Sequence, residues 1–258
     1  MAGHSKWANI KRHKARVDAA KSKVFTQISR EIIVAARQGL PDPEANFQLR
    51  NAVAKAKTAG IPNDNIDRAI AKGAGHLGGE DDYEAIRYEG YGPGGVAVLI
   101  EALTDNRNRT AADIRVAFSK NGGNLGETGC VSWMFTHKGV ISLRGEIDED
   151  QLLEASLEAG AESYQLLEID EGVPGAEVYT AIEDLEQVSN HLEAAGFEVT
   201  QAELRWLPGN SLEVTDHEQA RSLLKMMDAL EDLDDVQSVT SNFEMSDELM
   251  DRLSLVNS

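Results

Sequence analysis

The sequence predicts an α+β multidomain protein: an N-terminal three-helix module, then two α+β modules, the last ferredoxin-like and inserted into the middle one. Three observations lead there. Apolar residues recur at helical spacing through the first stretch of chain. Between residues 137 and 206 the segments follow the order β-α-β-β-α-β, the split-βαβ pattern of ferredoxin-like folds. The segments before that stretch read ββαβ, and the tail after it supplies the missing helix and strand, so a discontinuous middle domain is expected. The expected division is 1–79, then 80–136 together with 207–258, with 137–206 as the insert.

In the first module Phe25, Ile28, Ile32, Ala35 and Ala36 define a helix over 19–38, stopped by Gly39. Asp42 and Pro43 offer an N-cap and first position for a second helix to Ala59, and Asn63 for a third ending before Gly73. "GAGHLGGEDD" (73–82) reads as a flexible linker. In the middle module two strands flank a Gly-rich turn. A helix over 110–120, with Ile114 and Phe118 on one face, a loop "NGGNLGETG" and a strand over 130–135 follow. The insert carries helices near 149–159 and 185–195, with Leu152, Leu153, Leu157, Val188 and Leu192 expected inside. The tail predicts a helix over 217–230 and a strand over 236–240.

Charge is divided by region. The chain has 258 residues and a net charge of −19, yet residues 1–79 alone carry +8. Lys6, Lys11, Arg12, Lys14, Arg16, Lys21 and Lys23 are set against one acid, Asp18, with Trp7, His4 and His13 interleaved. Such an end neutralises phosphates without choosing sequence, and its planar groups suit stacking on unpaired bases. His4, Lys6, Trp7, Lys11, Arg12, His13, Lys14, Arg16, Lys21 and Lys23 are therefore the candidate nucleic-acid contacts. A second candidate is "TDNRNRT", between a strand and a helix: Asn106, Arg107, Asn108 and Arg109 could present amides and guanidiniums to a phosphate at a helix N-terminus. The alternative is an N-cap with its arginines solvated or paired to Glu127 or Asp113.

Other classes find little support. "GYGPGG" at 90–95 matches a dinucleotide fingerprint in letters only, because it leads into a strand and not a helix. Cys130 and His137 lack a third, orienting group. No zinc spacing links the six His, so no metal, cofactor or catalysis is expected. The longest apolar run, 95–103, is broken by Glu101, so no membrane span is expected. One cysteine and no secretory signal predict a cytoplasmic protein, and charge repulsion predicts a monomer.

The motifs "MAGHSKWANIKRHK", "DPEANFQLRNAVAKAKTAGIPNDNIDRAIAKG", "YEGYGPGG", "DNRNRT" and "NGGNLGETGCVSWMF" occur in fixed order across nearly the whole chain. In these the chain resembles the YebC family, which includes the mitochondrial translational activator of cytochrome c oxidase. Gly3, His4, Lys6, Trp7, Lys11, Lys14 and Asn106 to Arg109 stand at the family's motif positions. The resemblance implies three domains and one of two roles. The first is a ribosome-binding translation factor contacting rRNA or tRNA and helping elongation past stall-prone, proline-rich sequences. The second is a duplex-DNA-binding transcriptional regulator. The first is the expectation here. The best helix-turn-helix candidate, 43–59 with 63–72, places Asp64 and Asp67 where base-reading groups belong.

Overall fold

The computed structural model describes residues 18–75, 83–170 and 172–256. Three helices come first: α1 (Asp18–Gln38), α2 (Phe47–Thr58) and α3 (Asn63–Gly73). Their shared core is the predicted apolar stripe of α1, with Ile28, Ile32 and Ala36 packed on Leu49, Val53 and Ile66. The second helix starts four residues later than expected. Asp42 accepts the Glu44 N–H in a turn of its own, while Asn46 caps α2 by accepting from Leu49 N–H and donates to the carbonyls of Ala35 and Leu40. Asn63 is likewise not a cap but the first residue of α3, which follows Pro62. The expected linker lies mostly outside the described residues.

The middle unit is a four-stranded antiparallel sheet whose strands lie in the order Asn124–Leu125, Glu84–Tyr91, Ala97–Thr104, Val236–Ser241. Strands β1 (Glu84–Tyr91) and β2 (Ala97–Thr104) flank "GYGPGG", whose Gly94 has φ 77°, a backbone state that favours glycine. Helix α4 (Arg107–Lys120) and the short β3 (Asn124–Leu125) follow. The fourth strand, β9 (Val236–Ser241), comes from the far end of the chain, together with α7 (His217–Glu231). One face of the sheet packs on these helices through Val98, Ile100, Ile114, Phe118, Leu223 and Met226. Two features of the tail go beyond the sequence expectation. A two-residue parallel pair joins β8 (Leu212–Glu213) to β10 (Phe243–Glu244), and α8 (Asp247–Val256) adds Met250 and Leu253 to that core.

The insert folds as β4 (Phe135–Arg144), α5 (Glu149–Ala159), β5 (Ser163–Asp170), β6 (Val173–Thr180), α6 (Leu185–Ala194) and β7 (Glu198–Pro208). Its antiparallel order β5-β6-β4-β7 is the ferredoxin-like arrangement. The chain enters and leaves through adjacent strands, β4 and β7, paired from Phe135↔Pro208 to Arg144↔Glu198. Ile141, Leu143, Val178, Leu152, Val188 and Leu192 form its core. Leu153 and Leu157 do not join them: they are 43% and 70% exposed. Helix α5 buries the stripe Leu152, Ala155, Ser156, Ala159 instead, and its two remaining leucines fall on the solvent side of the turn.

The predicted strand over 130–135 is also corrected. Residues 132–134 form a short 3-10 turn, and the strand begins only at Phe135. The cause is Glu89, 1% exposed, whose carboxylate accepts N–H groups from Gly129, Val131 and Ser132 at 2.8–2.9 Å. Backbone donors drawn onto one side chain cannot also serve a ladder. Trp133, in the middle of the expected strand, is 73% exposed.

Candidate nucleic-acid interface

The candidates of the basic opening fall into two groups. His4, Lys6, Trp7, Lys11, Arg12, His13, Lys14 and Arg16 lie outside the described residues. Lys21 and Lys23 belong to the first turns of α1. Lys23 faces a cleft of about 880 Å3 where the three units meet, lined also by Gln27 and Glu31 of α1, Arg205 of β7 and Gln237 of β9. Of the other cations of the helical module, Arg37, Lys57 and Arg68 are exposed.

"TDNRNRT" forms the N-terminus of α4. Asn106 caps the helix by accepting the Arg109 N–H at 3.1 Å, and Thr104 Oγ1 accepts the Asn106 N–H. Asn108 is exposed. Arg107 pairs with Glu84 at 3.3 Å. Arg109 donates to Asp105 at 2.8 Å and to both oxygens of Asp235 at 2.8 and 3.1 Å. Its partners are thus neither Glu127 nor Asp113. The hydrogen bonds from Arg109 to Asp235 and Asp105 push its guanidinium further from deprotonation, against a smaller desolvation effect.

Asp235 is the residue that sequence reasoning missed. It is one of four acids in "LEDLDDV" and carries no motif that would single it out. In the fold it is 6% exposed and receives donors from four side chains. Besides Arg109, these are Thr110 Oγ1 at 2.7 Å, Thr104 Oγ1 at 3.2 Å and Arg30 of α1 at 2.8 Å. Burial alone would raise its pKa. The hydrogen bonds from Arg109 and Thr110 and the charge of Arg30 outweigh that and hold it below the ordinary carboxylate range.

Arg30 makes the joint between the helical module and the middle unit. It donates to the carbonyls of Asp234 and Leu103 at 2.6 and 3.2 Å, and its guanidinium lies 5.2 Å from the centre of the Tyr83 ring. Gln27 donates to the Val236 carbonyl at 2.5 Å. A second joint links α2 to the insert: Asn51 donates to the Ala202 carbonyl at 2.8 Å, Arg50 pairs with Glu186, and Phe47 packs against the insert's core.

The insert meets the middle unit through Trp206. Its ring stacks on His137 at 4.5 Å, carries Arg87 at 4.7 Å, and donates from Nε1 to Glu101 at 3.1 Å. His137 is therefore engaged with Trp206. Cys130 has its thiol pushed up by burial and by the charges of Glu89 and Glu127. Among the described residues no group of three His, Cys, Asp or Glu is placed to hold a metal, and no helix is long and apolar enough to cross a membrane.

Comparison with known proteins adds a family. Residues 5–76 match the model described as "TACO1/YebC protein N-terminal domain", and residues 83–243 the one described as "TACO1/YebC second and third domain". The chain is 71% identical over 251 residues to a protein of Trichormus variabilis and 69% identical over 251 residues to one of Gloeothece citriformis. Each alignment covers 97% of this chain and 98% of the relative, and each relative is named "Probable transcriptional regulatory protein". Among solved structures, a conserved hypothetical protein from Aquifex aeolicus superposes with a TM-score of 0.80 at 47% identity, covering 90% of this chain and 94% of that one.

Proposed function

Because the chain belongs to the TACO1/YebC family, we propose that it is a regulatory protein that binds nucleic acid and performs no chemistry of its own. One observation carries the proposal: a net +8 gathered in residues 1–79 of a chain whose total is −19. Counterion release on phosphate binding rewards such an end and gives affinity without base choice. The rest of the molecule, with a net charge of −27, faces protein or solvent.

Two readings divide on which nucleic acid is bound. RNA on the ribosome, with the protein assisting elongation at stall-prone, proline-rich sequences, is the reading that the residues favour. Trp7, His4 and His13 suit unpaired bases, and the first turns of α3 expose Asp64 and Asp67, a poor surface for a major groove. Duplex DNA and transcriptional regulation is the reading that the names of the relatives back, and they back it better than the ribosomal one.

Crosslinking in growing cells, followed by sequencing of the bound nucleic acid, separates the two. Recovery of rRNA or tRNA, with salt-sensitive co-sedimentation with ribosomes that is lost in Lys11→Glu/Arg12→Glu/Lys14→Glu, is the expected result. Recovery of discrete duplex sites without ribosome association would establish the transcriptional reading instead.

A further inference from the structure

The sheet of the insert has an open edge. In the order β5-β6-β4-β7, strand β5 pairs with β6 alone among the described residues. The register is regular from Ser163 to Glu168 and shifts only after it, and the stretch "SYQLLE" holds neither Lys nor Pro. Bulges, Lys and Pro are the usual protections of an edge strand, whose outward N–H and C=O groups otherwise offer a ladder to another chain. The edge also has an apolar border. Leu153 and Leu157, 43% and 70% exposed, stand on one line of α5 headed by Glu149. The Tyr164 hydroxyl of β5 donates to Glu149 at 3.3 Å, while the other flank of α5 faces α6, where Gln151 donates to the Ala195 carbonyl. The leucine line therefore looks toward β5. Leu166, 42% exposed, lies two residues beyond Tyr164 on the same side of that strand.

The charge around this border is of one sign. Asp150 and Glu154 on α5 and Glu168 on β5 are exposed, and residues 137–206 together hold 3 basic and 17 acidic side chains. The opposite face of β5 borders, through Leu167, the cleft where the three units meet, whose lining holds eight carboxylates and three cations. A strand added to β5 would send alternate side chains to these two faces. We propose that β5 is a docking edge for an extended segment of another protein, its side chains alternately apolar, against Leu153, Leu157 and Leu166, and basic, toward the acidic cleft. Main-chain hydrogen bonds give such strand addition its affinity, and the alternate side chains give it selectivity. A second copy of this chain is the poorer occupant, because pairing β5 with β5 brings together two units of net −14. The assignment does not depend on which nucleic acid the chain binds.

The test titrates the full chain into a fluorescent peptide of alternating Val and Lys, matched to the 8 residues of β5. A second peptide of equal charge has Pro in place of a central Val, which removes a ladder donor. The alternating peptide should bind and slow hydrogen exchange at backbone amides within Ser163–Glu168. The Pro-containing peptide should bind about 10-fold more weakly, and Leu153→Ser/Leu157→Ser should weaken the alternating one by about 10-fold as well. Both leucines being exposed, that variant should keep the parent's thermal midpoint. Equal binding of the two peptides would mean that charge alone attracts them and would overturn the proposal. So would no binding, or protection confined to other segments. Sedimentation at rising concentration tests the second copy: a dimer that protects Ser163–Glu168 without peptide would give the edge to it and overturn the assignment. Protection of the same amides by single-stranded RNA would give the edge to nucleic acid, with the same consequence.

Discussion

Glu89 and Asp235 are two of 44 acidic residues, and only their neighbours distinguish them. Glu89 is buried, which by itself would raise its pKa, but the N–H groups of Gly129, Val131 and Ser132 overcome this and lower it below the ordinary 4.5. A carboxyl lowered in the folded chain binds its proton first in the unfolded one, so its stabilisation is complete above pH 4.5 and is lost as pH falls toward the folded value. Glu89→Gln should therefore flatten the acid limb of stability below that pH, measured by urea unfolding at stepped pH. At neutral pH it should cost about 2 kcal/mol, because an amide turns an NH2 toward backbone donors. Neutral-pH stability equal to the parent's would show that the loop does not depend on the carboxylate. None of this was legible in the sequence. "YEGYG" shows a glutamate in a strand, and its partners lie some forty residues away.

Helices were the most legible elements, because a stripe at 3.6-residue spacing repeats several times within one segment. α1, α5, α6 and α7 lie within a residue or two of their expected spans. Periodicity was less informative about which leucine is inside. Leu152, Leu153 and Leu157 share one short helix, and the angle at which α5 meets its sheet selects Leu152 alone. Leu152→Ala should accordingly cost about 2–5 kcal/mol in urea unfolding, and Leu157→Ala less than about 0.5 kcal/mol. Equal costs would place Leu157 in a packed environment after all. The segment over 130–135 failed for a related reason. Val131, Trp133 and Phe135 alternate as a strand would, but Glu89 claims the backbone donors that a strand needs, and the turn swings Trp133 outward.

At the scale of the whole molecule, charge acts on folding and on binding with opposite signs. Self-repulsion within a body of net −27 opposes compaction, so raising salt from 10 to 200 mM should raise the thermal midpoint by about 2–4 °C, equivalent to roughly 1 kcal/mol. The nucleic-acid binding proposed above should weaken over the same range. A midpoint that falls with salt would show that attractive pairs such as Arg30–Asp235 outweigh the repulsion. By itself the sequence determined the order of helices and strands, the ferredoxin-like pattern of the insert, the family motifs and the charge division. Each of these is a local or additive property, read from neighbours in the chain or from simple counts. The tertiary structure alone decided which charges are spent on one another. Arg109 stands in a motif that reads as an outward phosphate contact, and it is turned toward a carboxylate 126 residues away that also holds Arg30. Pairing across such distances depends on how α1, α4 and the strand after α7 are brought together. No periodicity along the chain carries that information.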